Sequence, residues 1–181
     1  MAVRKASAYR FWKRPYTRKS KVRSKGYVKT VPPMNVVKFV MGNLRKFFEN
    51  KYPIIAKIIS NEEVQIRDIA LESARRQLHR EIEVNIGTDY YMAVSVYPHH
   101  ILRENKMLTG AGADRMQTGM SHSFGTTVGR AAQVKKGQPI FTVALPSEDA
   151  LKKFREYYHF TKQKIPCRSH IEVEKIEAKE E

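Results

Sequence analysis

Residues 53–86 read PIIAKIISNEEVQIRDIALESARRQLHREIEVNI, and this stretch decides the fold class. Its first eight residues, PIIAKIIS, are β-branched and bounded by Pro and Asn, which is typical of a strand. Ser60 is followed three residues later by Glu63, a capping-box pattern that predicts the start of a helix. From Ile66 to Ile82, apolar residues recur at three- and four-residue steps. The stretch therefore predicts one strand followed by a long helix.

The polar side of this predicted helix mixes both signs of charge. Its charged residues are Arg67, Asp68, Glu72, Arg75, Arg76, Arg80 and Glu81. Such a mixture is usually a solvated face with weak ion pairs. Gly87 follows at a position that fits the end of the helix. We therefore expect one face of the helix in the core and the other in water.

Further strands are predicted on both sides of this stretch. The apolar run at 36–40 suits a short first strand, and residues 90–97 alternate between two faces until Pro98 stops them. Residues 130–134 and 139–145 can form a hairpin, because the connection through Lys135, Lys136 and Gly137 is short and contains glycine.

A second helix is predicted after Ser147, which can cap it. The acidic pair at 148–149 suits the positive end of that helix, and its apolar stripe consists of Leu151, Phe154, Tyr157 and Tyr158. Residues 170–176 alternate as a last strand. The whole pattern predicts an α+β fold with a mixed sheet and two main helices.

The positive charge is concentrated at the start of the chain. The 181 residues include 34 Lys and Arg against 18 Asp and Glu, and 41% hydrophobic residues are enough for the core of one ordinary domain. Fourteen of the basic residues and none of the acidic ones lie within residues 1–48. This balance favours nucleic acid as the partner. We expect a basic arm at 1–34, one domain at 35–176 and an acidic tail at 177–181.

The arm shows no sustained period and resembles an extension that a polyanion would order. Its cations can follow a phosphate backbone, and the aromatic rings between them can stack on unpaired bases, which is the usual route to RNA. The prolines at 15, 32 and 33 disfavour the alternative, an amphipathic targeting helix. The arm residues predicted to bind RNA are Arg4, Lys5, Arg10, Trp12, Lys13, Arg14, Tyr16, Arg18, Lys19, Lys21 and Arg23.

A long glycine-rich segment, RENKMLTGAGADRMQTGMSHSFGTTVG at 103–129, shows no amphipathic period. So long a loop in a compact domain is either functional or disordered. Its glycines permit close approach of a backbone, while Arg103, Lys106 and Arg115 supply partners for phosphate. A nucleotide-binding P-loop is the alternative, but the segment lacks the Gly-Lys-Ser/Thr that such a loop needs.

The sequence shows no catalytic, metal or cofactor site. The histidines and Cys167 match no zinc spacing, and a single cysteine excludes an intramolecular disulfide and fits a reducing, cytosolic compartment. We expect Cys167 to be a buried thiol and His170 a surface imidazole. No run approaches the roughly 18 apolar residues that are needed to span a bilayer.

Several ordered motifs resemble one protein family. QIRDIALESARRQL at 65–78, YPHHILRENKMLTGAGADRMQTGM at 97–120 and SFGTTVGRAAQVKKGQ at 123–138 are similar to the archaeal and eukaryotic L10e form of the universal L16 family of large-subunit ribosomal proteins. RPYTRK at 14–19 and MGN at 41–43 also resemble that family. The resemblance therefore spans residues from about 14 to 145.

This resemblance implies an α+β fold of the hammerhead type and a structural role in the cytoplasmic large ribosomal subunit, without enzyme activity. The implied partners are large-subunit rRNA near the peptidyl-transferase centre, A-site tRNA and neighbouring ribosomal proteins, with no membrane and no homo-oligomer. The loop residues that it brings toward the catalytic RNA and the tRNA are Arg103, Lys106, Met107, Gly110, Ala111, Gly112, Asp114, Arg115 and Gln117.

Two alternatives stay open at this point. The first is an RNA-binding factor that acts away from the ribosome, which sedimentation with large subunits would separate from a ribosomal component. The second is a nucleotide-dependent RNA-modifying enzyme that uses the glycine-rich loop, which calorimetry with ATP, GTP and S-adenosylmethionine would reveal.

Overall fold

The computed structural model describes residues 5–11, 28, 30–105 and 125–176. Within these ranges, a 3₁₀ helix at Ala6–Tyr9 precedes eight strands and three α-helices. In chain order these are β1 Val40–Gly42, α1 Leu44–Phe48, β2 Ile54–Ser60, β3 Val64–Arg67, α2 Asp68–Asn85, β4 Tyr91–Val94, β5 His100–Glu104, β6 Thr126–Val134, β7 Pro139–Leu145, α3 Glu148–Lys162 and β8 Ser169–Lys175.

The strands form two antiparallel sheets, where the sequence predicted one mixed sheet. The larger sheet has the order β1-β4-β7-β2-β8, and the smaller has the order β3-β6-β5. Helices α2 and α3 pack against each other, α3 also contacts β2 and β7 of the larger sheet, and α2 contacts β3 and β6 of the smaller one. Their buried side chains join those of the strands in one apolar core. The α+β class is confirmed.

The helix predicted from Ser60 begins later than its capping-box pattern suggested. The Ser60 hydroxyl donates to the Glu62 carbonyl at 2.7 Å in the turn after β2, and residues 64–67 form β3. Val64 and Ile66 pair with Val134 and Ala132 of β6. Pairing with a distant strand therefore overrides the local helix signal, and α2 starts at Asp68. Its end agrees with the prediction, since Gly87, with φ +94, follows shortly after Asn85.

The prediction of a solvated charged face on α2 was wrong for the first part of the helix. Arg67, Asp68, Glu72 and Arg75 are all buried. The segment before β1 covers Asp68 and Glu72: the backbone N–H and the side-chain amide of Asn35 both donate to Asp68 Oδ2, at 3.1 and 2.7 Å, and the Val37 N–H donates to Glu72. Arg76 and Arg80 remain exposed.

The hairpin predicted for 130–145 does not form. The turn through Lys135, Lys136 and Gly137 exists, but it carries the chain from one sheet to the other: β6 pairs with β3 and β5, whereas β7 pairs with β2 and β4. Strand β6 also begins at Thr126, four residues earlier than predicted, because β5 pairs along it.

The remaining strand and helix predictions differ in accuracy. The first strand is at Val40–Gly42 rather than 36–40, because Val36 packs into the core from an extended segment. PIIAKIIS and the last strand are confirmed as β2 and β8, and the alternating stretch 90–97 contains β4. Helix α3 is confirmed together with its cap, since the Ala150 N–H donates to Ser147 Oγ at 3.3 Å.

Candidate nucleic-acid interface

The outer face of the smaller sheet carries polar side chains. Paired residues of antiparallel strands project to the same face, so Gln65 and Gln133, paired across β3 and β6, lie together. Arg67, Ala131 and His100 share this face through the same registers. The opposite face presents Val64, Ile66, Ala132 and Val134 to the core. Strand β3 is therefore buried on both faces, with apolar residues on one and polar residues on the other.

The 3₁₀ helix at Ala6–Tyr9 covers this polar face. The Gln65 N–H donates to the Arg10 carbonyl at 2.9 Å, and Gln65 Nε2 donates to the Tyr9 carbonyl at 3.2 Å. The guanidinium carbon of Arg67 lies 4.6 Å from the centroid of the Tyr9 ring, a cation–π contact. Residues 5–11 are thus docked on the sheet, and the basic arm continues from there.

Arg10 has a carboxylate partner. Its guanidinium donates to Glu62 Oε2, and Arg168 lies on the other oxygen of the same carboxylate, 3.6 Å away. The structure therefore places Arg10 where the arm is attached to the domain, while Lys5 and Arg168 are exposed.

Arg10 also lies close to the single thiol of the chain. Burial raises the pKa of Cys167, and a hydrogen bond with Ser60 and the charge of Arg10 oppose that rise. The thiol is only 8% exposed and His170 is a surface residue, as predicted.

The two ends of the glycine-rich loop are held together where they join the same sheet. We call this closure, formed by Arg103, Glu104, Gly125 and Thr126, the neck. Arg103 Nη2 donates to the Gly125 carbonyl at 3.0 Å, and Glu104 pairs with Thr126. Gly125 has φ +71, and a Cβ there would lie 2.3 Å from the Glu104 carbonyl group, so only glycine fits. The loop proper is therefore shorter than the predicted 103–129, because both ends of that segment are strand.

The chain returns from the arm to this sheet and to α2. Thr127 Oγ1 donates to the Thr30 carbonyl at 3.0 Å, and Arg130 Nε donates to the Pro32 carbonyl at 2.7 Å. Val28 is buried. The segments on both sides of residues 12–27 are thus held by the domain.

A cavity of about 210 Å³ lies where arm and loop meet the sheet. It is lined by Ala8, Tyr9, Phe11, Gln65, His100, Leu102 and Arg103. The basic arm and the glycine-rich loop therefore leave the domain beside the same cavity.

The structure describes three of the predicted site residues. Lys5, Arg10 and Arg103 are described and lie around the polar face. Outside the described residues lie Arg4, Trp12, Lys13, Arg14, Tyr16, Arg18, Lys19, Lys21, Arg23, Lys106, Met107, Gly110, Ala111, Gly112, Asp114, Arg115 and Gln117. Gln65, His100 and Leu102 were missed as site residues, because their roles depend on strand pairing that no local pattern reveals.

The described part of the chain offers neither a metal-binding cluster nor a membrane-spanning helix. No group of three or more His, Cys, Asp or Glu residues there could hold a metal ion. Within the same residues, every helix is too short or too polar to cross a membrane.

Comparison with known proteins gives a consistent set of relatives. Residues 12–172 match the family model described as ribosomal protein L16p/L10e. The large ribosomal subunit protein uL16 of Hyperthermus butylicus is 43% identical over 168 residues, which cover 92% of this chain and 86% of that protein. The uL16 of Thermofilum pendens is 38% identical over 179 residues, covering 98% of this chain and 100% of that protein.

Proposed function

The chain belongs to the ribosomal protein L16p/L10e family, and from this premise we propose that it binds large-subunit rRNA beside the A-site tRNA, near the peptidyl-transferase centre. Family membership makes the protein a structural constituent of the large ribosomal subunit and not an enzyme, with rRNA and neighbouring ribosomal proteins as partners. Its location is that of the ribosome, in the cytoplasm. We propose further that it acts there as a single copy.

One observation carries the proposal: the basic arm and the glycine-rich loop leave the domain beside the same polar face of the smaller sheet. Residues 6–10 lie on that face through Gln65 and Arg67, and the neck of the loop borders it through Arg103. An RNA bound beside this covered face can therefore contact both segments.

The charge distribution also favours RNA binding on the side of the molecule from which the arm leaves. The first 48 residues carry fourteen cations and no acid, whereas the rest of the chain is close to neutral. Phosphate neutralisation and counterion release are the main source of affinity in such complexes. In this proposal the arm at 1–34 pairs with rRNA phosphates, the domain at 35–176 positions it, and residues 106–117 of the loop extend toward the tRNA.

Site-directed photo-crosslinking on assembled subunits tests the proposal. A photoreactive residue at Phe11 is expected to crosslink to large-subunit rRNA, and one at Met107 to rRNA of the peptidyl-transferase region or to A-site tRNA. Phe160 is 54% exposed on α3 and serves as the control position on another element. A protein that sediments free of large subunits, or crosslinks equally from all three positions, would contradict the proposal.

A further inference from the structure

We propose that the free edge of β8 binds an extended, Lys- and Arg-rich segment of a neighbouring large-subunit ribosomal protein, which adds to the larger sheet as a further strand. The arm and the glycine-rich loop play no part in this contact, so it is additional to the proposed function. The partner follows from the family membership of the chain, since a large-subunit protein has other ribosomal proteins as neighbours.

Strand β8 is an open edge of the larger sheet. Among the residues that the structure describes, it pairs with β2 on one side and with no strand on the other. It has seven residues, contains neither proline nor glycine, and follows β2 without a bulge. Natural proteins usually protect sheet edges by short strands, prolines, bulges, charges or covering segments, because an open edge recruits another strand. The protection left to β8 is its charge, which selects the strand that can bind.

The other sheet edges formed by described residues are better protected. Strand β1 has only three residues, and the register of β5 shifts between Leu102 and Arg103. At the edge of β3, the Gln65 N–H already donates to the Arg10 carbonyl. Strand addition is therefore most favourable at β8.

The hydrogen-bond pattern shows which backbone groups of β8 face away from β2. Just beyond the end of the strand, the Ile176 N–H donates to the Pro53 carbonyl at 2.8 Å. Bonded and non-bonded pairs alternate in an antiparallel ladder, so the even-numbered residues of β8 bond to β2. The outward N–H and C=O groups belong to the odd-numbered residues, of which those not buried are Ile171, Val173 and Lys175.

The charges beside this edge favour a basic partner. Glu172 and Glu174 are exposed on the same face of β8, and Lys57 of β2 is paired with Glu174. Three Glu and one Lys follow within residues 177–181. The edge is thus acidic in a chain whose formal net charge is +16. It repels RNA phosphates and attracts Lys and Arg, which proteins that bind RNA carry in excess.

The same charges disfavour a second copy of this chain. Antiparallel pairing of two β8 strands about Val173 would place Glu172 of each copy opposite Glu174 of the other, and like charges directly opposite destabilise a sheet. A segment with Lys or Arg at alternate positions instead places a cation beside each glutamate. Its intervening residues can lie over the half-buried side chains of Ile171 and Val173.

Carbodiimide crosslinking of assembled large subunits tests this inference, because the reagent joins a carboxylate to a lysine that contacts it. We expect Glu172 or Glu174 to be coupled to a lysine of another ribosomal protein, identified by mass spectrometry. Coupling of Glu174 to Lys57 is the internal control. Coupling only to Lys57, to the arm lysines within 13–25 or to a second copy would overturn the inference.

Two substitutions at Val173 separate strand addition from other contacts. Val173→Pro removes one outward N–H and no bond to β2, since proline is tolerated where the N–H of an edge strand faces solvent. It should lower the yield of the crosslink to the partner about tenfold, the effect of losing one hydrogen bond. Val173→Ala shortens the side chain but keeps the N–H, so its yield should stay close to that of the wild type. Equal losses would show that backbone pairing does not bind the partner.

Residue-resolved hydrogen–deuterium exchange of the wild type gives a second readout. In the free protein, the amides of Ile171 and Val173 should exchange fast and those of Glu172 and Glu174 slowly. In assembled subunits all four should be slow. Fast exchange at Glu172 in free Val173→Pro would mean that this variant disrupts β8, and the wild-type comparison then decides. Unchanged fast exchange of Ile171 and Val173 in subunits would overturn the inference.

The photo-crosslinks from Phe11 and Met107 separate this inference from the proposed function. If they reach RNA while β8 stays unpaired, the edge contact is wrong and the proposed function stands. If β8 pairs with another protein and neither position reaches RNA, the proposed function fails alone.

Discussion

Glu72 and Arg75 form a bidentate ion pair on the side of α2 that the segment before β1 covers. Arg75 donates from Nε and Nη2 to the two carboxylate oxygens, at 2.7 and 2.6 Å, and the residues are 5% and 8% exposed. Arg76 Nε and the Val37 N–H donate to the same carboxylate. The buried charges are thus compensated, and the N-terminal segment depends on them.

Glu72→Gln should lower the free energy of unfolding by about 3 kcal/mol, because it leaves the buried Arg75 without its compensating charge. Urea denaturation measures this. Glu83→Gln is the matched control on the exposed side of the same helix, where a change within about 0.5 kcal/mol is expected. Equal effects of the two substitutions would contradict the importance of the buried pair.

The same carboxylate predicts a loss of stability in acid. Hydrogen bonding from Arg75 lowers the pKa of Glu72 below its ordinary value of 4.5, against the opposing effect of burial. A depressed pKa contributes stability that is fully present above the unfolded-state value and is lost as the pH falls through the folded-state value. The urea midpoint of the wild type should therefore fall more steeply in acid than that of Glu72→Gln. Parallel pH profiles would contradict this.

Gly125→Ala should destabilise the protein more than Gly137→Ala. Both glycines have positive φ, +71 and +78, so alanine strains the backbone at either by about 1 kcal/mol. Only at Gly125 would the new Cβ meet backbone atoms, 2.3 Å from the Glu104 carbonyl, whereas nothing lies within 4 Å at Gly137. Thermal denaturation of both variants isolates the steric part. A smaller effect at Gly125 would mean that the neck is not tightly closed.

Cys167 should react slowly with iodoacetamide in the folded protein. Burial raises the pKa of its thiol, and the side chain is only 8% exposed, so little accessible thiolate exists at neutral pH. We expect alkylation at least about tenfold slower than in urea-unfolded protein, followed by mass spectrometry. Equal rates would show that the segment around Cys167 opens readily.

Replacing five cations of the arm by glutamine should flatten the salt dependence of rRNA binding. Each lost phosphate contact reduces the slope of log K against log salt by about 0.7–0.9, so the change should approach four units if all five contact phosphate. The arm positions are Lys13, Arg14, Arg18, Lys19 and Lys21.

Five exposed cations in and just after α3 provide the control with the same loss of charge. They are Lys152, Lys153, Arg155, Lys162 and Lys164. Their replacement should leave the slope nearly unchanged. The arm is not the main phosphate contact if both sets flatten the slope alike.

Sequence predicted those elements whose signals are local. Ser147 caps α3 with its own side chain, and the apolar stripe of that helix starts four residues later. In contrast, Ile66 also fits the helical period that continues to Ile82, and only its pairing with Ala132 of β6 makes it part of a strand. A strand partner far along the chain therefore decides whether such a segment forms a helix or a strand.

The same distinction applies to the candidate site. The charge of the arm and the glycines of the loop are visible in the sequence, and Arg103 was predicted from them. Gln65 is separated from Tyr9 by more than fifty residues in the chain, so their contact follows only from the fold. Glu72 and Arg75 were misjudged for a similar reason, because the cover that buries them comes from a distant extended segment.

The closed neck at Gly125 has a consequence for how the loop can vary among relatives. Because the neck holds both ends of residues 106–124 at neighbouring points, their separation does not depend on the number of residues between them. The entropy of closing a loop grows only with the logarithm of its length, so a doubling costs about 0.6 kcal/mol. Insertions and deletions beyond the neck should therefore be nearly neutral for folding, and selection on loop length can follow whatever the tip touches.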